Sequence, residues 1–316
     1  MARMYKRNKI FIINIINIKI MKFLFILIKI ILCILCILCI IISIYSIVLT
    51  LKNVSNINQL RHPKDIFSRH ETFVEAHRGV NREIFQNTLE SFSKAIEYGI
   101  DSLETDIWLT KDNVLVIVHA TNSGGLKGYF NHNGNVKNLT WDELSTFRTL
   151  KDNLKMPRLI DLFKLAKNKI YIDLEIKDPR IDLVFPKVIN LIEEYDFFNQ
   201  LSICSIHHEY YNKIVEYNNK NNRKLLFGFV YAKNHKKSID YNIKGNTINI
   251  NWKEATKEIC YKAHKKGIRV VAWFGLNEYE KPENYKTIIE NGVDAIVANY
   301  PLIAKNIRDR MKIYNF

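Results

Sequence analysis

Acidic residues are absent from the first 60 positions of this 316-residue chain, and those positions carry eight basic side chains. The formal net charge is +15, so +15 − 8 leaves +7 for residues 61–316. That remainder is spread over many lysines and contains no basic block. We therefore predict no nucleic-acid partner, because a diffuse positive charge of this kind indicates an anionic substrate or a membrane surface.

Charge of either sign is absent from residues 30–51, IILCILCILCIIISIYSIVLTL, a run of 22 residues. A membrane-spanning helix needs about 20 apolar residues, whereas the core of a signal peptide has about 7–15. We predict a transmembrane helix here and favour an uncleaved signal anchor over a cleaved signal peptide. Because basic residues are concentrated on the N-terminal side of the run, the positive-inside rule predicts a cytoplasmic N terminus. The rest of the chain is then lumenal or extracellular.

Cysteine is scarce after that run, where Cys204 and Cys260 stand alone. Two cysteines exclude a disulfide framework and leave open one bond between them. Within the run, Cys33, Cys36 and Cys39 recur every three residues with no histidine or carboxylate beside them. This pattern is typical of small apolar residues in a membrane span and not of a metal site.

The remaining segments divide the chain further. Residues 1–29 are predicted to form a basic cytoplasmic segment, residues 52–70 a polar linker, and residues 71–316 one catalytic domain. Short apolar stretches in that domain predict strands at 72–76, 101–107, 114–119, 170–177, 201–206, 225–231, 247–251, 268–274 and 294–298. Helical stretches between them include 88–98, 159–167, 184–195, 253–266 and 282–291. Alternating strands and helices over about 245 residues predict an α/β fold, a (β/α)8 TIM-type barrel.

One strand exceeds the eight that such a barrel needs, and the surplus lies in an early β-hairpin. Only TKDN, residues 110–113, separates its two strands, a turn too short for a parallel crossover. With the turn near Asp112, Asp106 and His119 should face each other within one residue of register. Glu104 lies two residues before Asp106 and therefore shares its face of the strand.

Two other strands end in side chains that are suited to catalysis or to ligand binding. AHRG, residues 76–79, supplies an imidazole at His77, a fork for phosphate oxygens at Arg78 and a flexible backbone at Gly79. IYIDLEIK, residues 170–177, places Glu175 and Lys177 on one face. Carboxylates on two strands form an oxygen-rich set suited to a hard divalent cation, Ca²⁺ or Mg²⁺. The predicted metal ligands are Glu104, Asp106 and Glu175.

Taken together, these stretches resemble the glycerophosphodiester phosphodiesterase family over residues 72–304. The motifs that carry the resemblance are AHRG, QNTLESFSKAIEYGID, LETDIWLTKDNVLVIVH, LEIK, VVAWFGLN and GVDAIVANYP. The resemblance implies metal-dependent hydrolysis of a glycerophosphodiester to glycerol 3-phosphate and an alcohol. It also implies that His77 and His119 are the acid–base pair and that Arg78 and Lys177 bind the phosphate.

The chain departs from the family pattern at three positions. Ala120 follows the second histidine where the family usually has aspartate, Asn299 stands near the C terminus where aspartate is usual, and Gln86 replaces a glutamate. The first of these removes an acid beside His119, which is expected to affect rate more than fold.

Three alternative functions are consistent with the same residues. A lysophospholipase D acting on lysophospholipids at the membrane is the nearest alternative. A sphingomyelinase-D-like enzyme shares the two histidines and the Glu-x-Asp pair, but the LEIK and WFGLN strands favour the first family. A non-catalytic phosphodiester-binding barrel is the alternative from another class, and Ala120 and Asn299 are its support.

Overall fold

The computed structural model describes residues 21, 35–45, 71–232, 238–243 and 246–314. The chain divides into two compact units, Met1–Gln59 and Leu60–Phe316. In the first unit, residues 35–45 are helical and their side chains are exposed. No helix among the described residues is long and apolar enough to cross a membrane.

Several predictions fall wholly or partly outside this described part of the chain. Outside it lie half of the predicted transmembrane helix at 30–51, nearly all of the basic segment 1–29 and all of the predicted linker 52–70. The anchor and the division into segments therefore stay predictions.

The second unit contains nine strands within its described residues, and each matches a predicted strand to within two residues at either end. They are β1 (Phe73–His77), β2 (Ser102–Leu109), β3 (Leu115–Ile117), β4 (Tyr171–Ile176), β5 (Leu201–Ser205), β6 (Phe227–Val230), β7 (Thr247–Asn251), β8 (Arg269–Trp273) and β9 (Ala295–Ala298). Eight of them pair in parallel in the order β1-β2-β4-β5-β6-β7-β8-β9, and β9 pairs with β1 to close the ring. The predicted TIM-type barrel is confirmed.

Helices cover the outside of this ring. Those in the described part of the unit are α1 (Leu89–Glu97), α2 (Trp141–Ser145), α3 (Leu159–Ala166), α4 (Ile181–Glu194), α5 (Tyr210–Asn221), α6 (Lys257–Lys265), α7 (Pro282–Glu290) and α8 (Pro301–Tyr314). Outward-facing strand residues such as Leu103, Leu174 and Ile203 pack against them in one continuous apolar core. Cys204 and Cys260 are both buried and free, so the open question of a disulfide between them is answered.

The ninth strand, β3, lies outside the ring and pairs antiparallel with β2, which confirms the predicted hairpin. Its register places Ile107 opposite Ile117, so Asp106 lies opposite Val118 and not His119. The predicted pairing was thus offset by one residue, which is within its stated tolerance. The face of the hairpin that bears Trp108 packs against a small second core built from residues 116–156.

Register across the parallel strands stacks polar side chains inside the barrel. His77 pairs with Glu104, Glu104 with Asp173, and Asp106 with Glu175. Paired residues of neighbouring parallel strands point to the same side of a sheet, and here that side is the interior. The carboxyl ends of β1, β2 and β4 therefore deliver acids and an imidazole to one place.

At the opposite end of the barrel, a partly buried ion pair joins the last helix to the residue just before β2. Arg308 of α8 contacts the carboxylate of Asp101 and also donates to the carbonyl oxygen of Thr72 at 3.2 Å. Asp101 in turn accepts a hydrogen bond from the backbone N–H of Val74 at 2.9 Å. Arg308 is 6% exposed.

Candidate active site

A cavity of about 270 Å³ opens at the carboxyl end of the barrel strands. Six of the seven predicted site residues line it, namely His77, Arg78, Glu104, His119, Glu175 and Lys177. The seventh, Asp106, lies fully buried beside them. The structure thus brings together all the residues that the sequence assigned to chemistry.

Three carboxylates lie close together on one side of the cavity. One oxygen from each of Glu104, Asp106 and Glu175 lies within 4.8 Å of the others. The Oδ1 atom of Asp106 is buried and has no hydrogen-bond partner among the described residues. An unsatisfied buried carboxylate oxygen costs free energy unless a cation or donor reaches it. The donor set therefore fits a hard divalent cation.

The protonation preferences of two of these acids differ. Burial, and after it the charge of Asp106, raises the pKa of Glu104 well above its ordinary value. Burial would also raise the pKa of Asp106, but Arg78, His119 and Lys177 together lower it below the usual range. A cation between the two carboxylates would offset their mutual repulsion and favour the ionised form of Glu104.

Two basic side chains stand over the carboxylates. Arg78 Nε lies 3.1 Å from Asp106 Oδ2, and its Nη1 donates to Gln86 Oε1 at 2.7 Å. Lys177 Nζ lies 2.9 Å from Glu175 Oε1 and 3.9 Å from Asp106 Oδ1. Burial works to lower the pKa of Lys177, yet Glu175 and Asp106 raise it above its ordinary value. Lys177 therefore stays charged in the cavity.

The turn after β1 explains how Arg78 reaches this position. Arg78 and Gly79 both have left-handed backbones, with φ of 57° and 83°. A Cβ atom on Gly79 would lie 2.3 Å from Ser91 Oγ, so no larger residue fits there. The N–H of Arg78 donates to both the backbone and the side-chain oxygen of Glu104, at 2.9 and 3.1 Å, which locks the turn to β2.

The first histidine is held from behind by the last strand. His77 Nδ1 lies 2.8 Å from Asn299 Oδ1, and His77 Nε2 lies 3.9 Å from Glu104 Oε2 on the cavity side. Burial, followed by the charge of Arg78, lowers the pKa of His77 well below its ordinary value, while Asp106 and Asn299 oppose this shift. His77 is therefore neutral and able to accept a proton.

The second histidine is held by the segment that follows it. His119 Nδ1 lies 3.0 Å from the hydroxyl of Tyr129, and the carbonyl oxygen of His119 accepts a hydrogen bond from Trp108 Nε1 at 3.2 Å. Burial lowers the pKa of His119 to about 3, and Arg78 adds to the effect of burial while Asp106 opposes it.

The residue after His119 also departs from ordinary backbone geometry. Ala120 has φ of 54°, is fully buried and belongs to the small core around Trp108. Its carbonyl oxygen accepts a hydrogen bond from the Tyr129 hydroxyl at 3.1 Å. The left-handed region is unfavourable for alanine and tolerated better by aspartate or asparagine, so Ala120 holds this conformation under strain.

Sequence reasoning assigned no role to four residues that position the site. Asn299 and Tyr129 hold the two histidines, and Gln86 holds Arg78. Asn87 donates to Asp106 Oδ2 at 2.9 Å and accepts from Thr105 at 2.9 Å. A signal was present for Gln86 and Asn87 in the QNT motif, and for Asn299 as a departure from the family, but nothing in the sequence marked Tyr129.

The opposite wall of the cavity is largely apolar, formed by Ile206, Val230, Ala232, Trp273, Leu276 and Val297. Charge is thus confined to the side that carries the carboxylates and histidines. This division suits a substrate with an anionic centre and a less polar substituent.

A parallel eight-stranded barrel with acids, bases and cations at the carboxyl end of its strands belongs to the class of (β/α)8-barrel enzymes. Within that class, the chain belongs to the glycerophosphoryl diester phosphodiesterase family, whose model matches residues 77–303. The prediction of an enzyme of this family is thereby confirmed.

Relatives and solved structures agree with this assignment. A glycerophosphodiester phosphodiesterase from Caldanaerobacter subterraneus subsp. tengcongensis is 26% identical over 244 residues, which are 73% of this chain and 95% of that protein. A human lysophospholipase D is 30% identical over 135 residues, which are 38% of this chain and 41% of that protein. The structure of an Oleispira antarctica phosphodiesterase in complex with its product sn-glycerol-3-phosphate matches with a TM-score of 0.63 at 17% identity. The match covers 77% of this chain and 99% of that chain. At this identity the similarity shows the fold alone.

Proposed function

We propose that the protein hydrolyses glycerophosphodiesters to glycerol 3-phosphate and an alcohol. One observation carries the proposal. The buried Oδ1 of Asp106, which has no hydrogen-bond partner among the described residues, lies in a carboxylate cluster that shares its cavity with two imidazoles and two basic side chains. The family, and the relative from Caldanaerobacter, which is a glycerophosphodiester phosphodiesterase, support this substrate class.

The charged side chains bind and orient the phosphodiester. Arg78 and Lys177 project their charges into the cavity from the ends of β1 and β4, where they would hold the non-bridging phosphate oxygens. Glu104, Asp106 and Glu175 would hold one divalent cation, Ca²⁺ or Mg²⁺, which supplies polarisation of the phosphoryl oxygens and offsets charge that develops on them.

The two histidines move the protons. Each is held at Nδ1 by a neighbour, so that its Nε2 is left for the cavity. One imidazole removes a proton from the attacking hydroxyl group at its Nε2. The other must enter the step as imidazolium, with a proton on both ring nitrogens, and delivers its Nε2 proton to the oxygen of the departing alcohol. The low pKa of both imidazoles keeps a lone pair available for the first of these steps.

Variants of the histidines test this mechanism. His77→Ala and His119→Ala should each lower turnover of glycerophosphocholine by about 10²- to 10⁴-fold. The matched control is His132→Ala, because His132 is exposed and stacks on Phe147 away from the cavity lining. Wild-type turnover in either of the first two variants would refute the acid–base pair. Binding of the phosphodiester with no turnover by wild type would favour the alternative of a non-catalytic barrel.

Removal of the cation tests the carboxylates. Treatment with a chelator should abolish turnover, and addition of Ca²⁺ or Mg²⁺ in excess should restore it. Asp106→Asn should prevent that restoration, because an amide oxygen is a weaker ligand than a carboxylate. Full activity in excess chelator would remove the metal role of all three acids.

A lysophospholipase D is a second candidate, supported by the apolar wall around Trp273 and by the name of the human relative. An acyl chain would lie against that wall while the phosphate meets Arg78. Choline release from glycerophosphocholine and from lysophosphatidylcholine, measured on one preparation, decides between them. The higher kcat/KM identifies the substrate class.

We also propose that residues 30–51 anchor the protein as a single-pass membrane helix, with the N terminus cytoplasmic and the catalytic domain lumenal or extracellular. The uncharged run of 22 residues and the basic residues before it support this. Resistance to alkaline extraction from membranes should be lost when the run is deleted. Protease added to sealed cells or vesicles reports on which side the barrel lies, and digestion from the cytoplasmic side would overturn the orientation.

A further inference from the structure

The amide of Asn299 uses all of its hydrogen-bonding capacity behind the active site. Its Oδ1 lies 2.8 Å from His77 Nδ1 and accepts a hydrogen bond from Asn81 Nδ2 at 2.8 Å. Its Nδ2 donates to the carbonyl oxygen of Gly275 at 3.1 Å and to the carboxylate of Glu280. Asn299 is 1% exposed, so water does not compete for these bonds.

Glu280 fixes which way this amide faces. It is a buried acceptor that also receives the backbone N–H of Asn299 at 3.1 Å and the hydroxyl of Tyr285. Rotating the amide by 180° would set its oxygen against the oxygens of Glu280 and Gly275. It would also set the amide's N–H groups against the N–H groups of Asn81. Two buried acceptor–acceptor contacts and one donor–donor contact exclude that arrangement.

An amide oxygen can only accept a hydrogen bond, so the ring nitrogen that faces Asn299 must carry the proton. We propose that Asn299, oriented by Glu280, is a positioning residue that holds neutral His77 in the Nδ1–H tautomer, with Nε2 as its proton-accepting atom. The tautomer assignment stands on these contacts alone. Its consequence for turnover rests on the proposed function.

This arrangement also accounts for asparagine where the family usually has aspartate. A carboxylate at position 299 would offer two acceptor oxygens, and one of them would face the carboxylate of Glu280. Two such groups fit only with a shared proton between them. The asparagine supplies both the acceptor for His77 and the donor for Glu280 without that proton.

Nitrogen NMR of histidine side chains in the full-length protein reads the tautomer directly. We expect Nδ1–H for His77 in wild type and a substantial Nε2–H population in Asn299→Ala. Turnover of glycerophosphocholine by Asn299→Ala should fall about 10²-fold in kcat, with KM changed by less than about threefold. Asn299→Asp, which keeps an acceptor oxygen, should keep the Nδ1–H form. Glu280→Gln should show both tautomers of His77. The glutamine amide replaces one of the two acceptor oxygens of Glu280 with a donor, so the Asn299 amide is no longer fixed in one orientation.

Asn251→Ala is the matched control. Asn251 is likewise a buried asparagine at the carboxyl end of a strand and likewise donates to a glutamate, Glu278, at 3.3 Å. Its removal should leave the His77 tautomer unchanged. An Nε2–H form in wild type, or an undiminished Nδ1–H form in Asn299→Ala, would overturn the proposal. Wild-type protein with the expected tautomer but no phosphodiesterase activity would instead overturn the proposed function alone.

Discussion

The hydroxyl of Tyr129 bridges the ring of His119 and the backbone of the next residue. It lies 3.0 Å from His119 Nδ1 and 3.1 Å from the carbonyl oxygen of Ala120. A phenol has one proton to give, and the Ala120 carbonyl can only accept it, so His119 Nδ1–H must donate to the phenol oxygen. The second histidine is thereby held in the same tautomer as the first, through a different partner.

Loss of this hydroxyl should affect rate more than binding. In Tyr129→Phe, His119 keeps its ring neighbour but loses the acceptor at Nδ1, which removes a hydrogen bond worth about 1 kcal/mol and loosens the ring. We expect kcat to fall about tenfold with little change in KM. Tyr261→Phe is the control, because Tyr261 is 60% exposed. Equal kcat in wild type and Tyr129→Phe would show that the bridge has no part in turnover.

The strain at Ala120 makes an unusual prediction for a buried alanine. In Ala120→Gly, relief of the left-handed conformation contributes about 1–2 kcal/mol, while added chain entropy and the lost methyl group each cost a little under about 1 kcal/mol. The free energy of unfolding should therefore change by less than about 0.5 kcal/mol.

Ala263 of α6 provides the comparison, since it is equally buried but helical. Without strain to relieve, Ala263→Gly should cost about 2 kcal/mol, from helix propensity and the lost methyl together. Thermal unfolding measures both variants. Equal destabilisation would mean that the backbone at position 120 is not strained.

The ion pair between α8 and the start of the barrel should contribute strongly to stability. Arg308→Met leaves the partly buried carboxylate of Asp101 without its charged partner, and the loss of such a partner costs about 1–3 kcal/mol. We expect a large fall in melting temperature, partly reversed by adding Asp101→Asn. Arg310→Met, at an exposed position of the same helix, should be within about 0.5 kcal/mol of wild type. Similar losses in both single variants would contradict the role of the pair.

Stability should also depend on pH through a histidine away from the active site. His264 Nε2 lies 2.8 Å from Asp294 Oδ2, and this hydrogen bond raises the pKa of His264 above its ordinary value. A raised folded-state pKa adds stability below the unfolded-state value of about 6.5, and this contribution is lost as pH rises through the folded-state value.

His264→Gln should therefore lower the melting temperature more at pH 5.5 than at pH 8.5. The effect should be small, because the His264 side chain is 42% exposed and its charge is screened by solvent. Asp294→Asn should remove the same pH dependence, since an amide does not favour the imidazolium. A larger loss at pH 8.5 than at pH 5.5 would reverse the sign and refute the assignment.

The sequence predicted the barrel well because its strands are short, apolar and separated by helices, a pattern that local residues determine. Helices with a weaker pattern were not named, and α5 is the clearest case. Only Tyr210 and Ile214 of its 12 residues are buried, so its apolar stripe is faint. Helix α6 begins at Lys257 and not at 253, because Trp252–Glu254 form a 3₁₀ turn and Thr256 caps the helix.

The candidate site followed from sequence wherever neighbours in the chain are also neighbours in space. Glu104 and Asp106 share a strand face, and the short turn folds His119 back towards them. Contacts that depend on the closed ring were beyond such reasoning. His77 and Asn299 are 222 positions apart, and no periodic pattern links them. After β3 the chain runs outward and then brings Tyr129 back to His119. Nothing in the composition predicts this path.

The contact between His77 and Asn299 also has a consequence for how the protein is made. The first strand carries one of the two histidines, but Asn299, the residue that orients it, directly follows β9, the last strand to be synthesised. Nascent chains that already display both histidines, all three carboxylates and the two side chains proposed to bind phosphate still lack this orientation. Competence for hydrolysis should thus arrive late in synthesis, when β9 closes the ring.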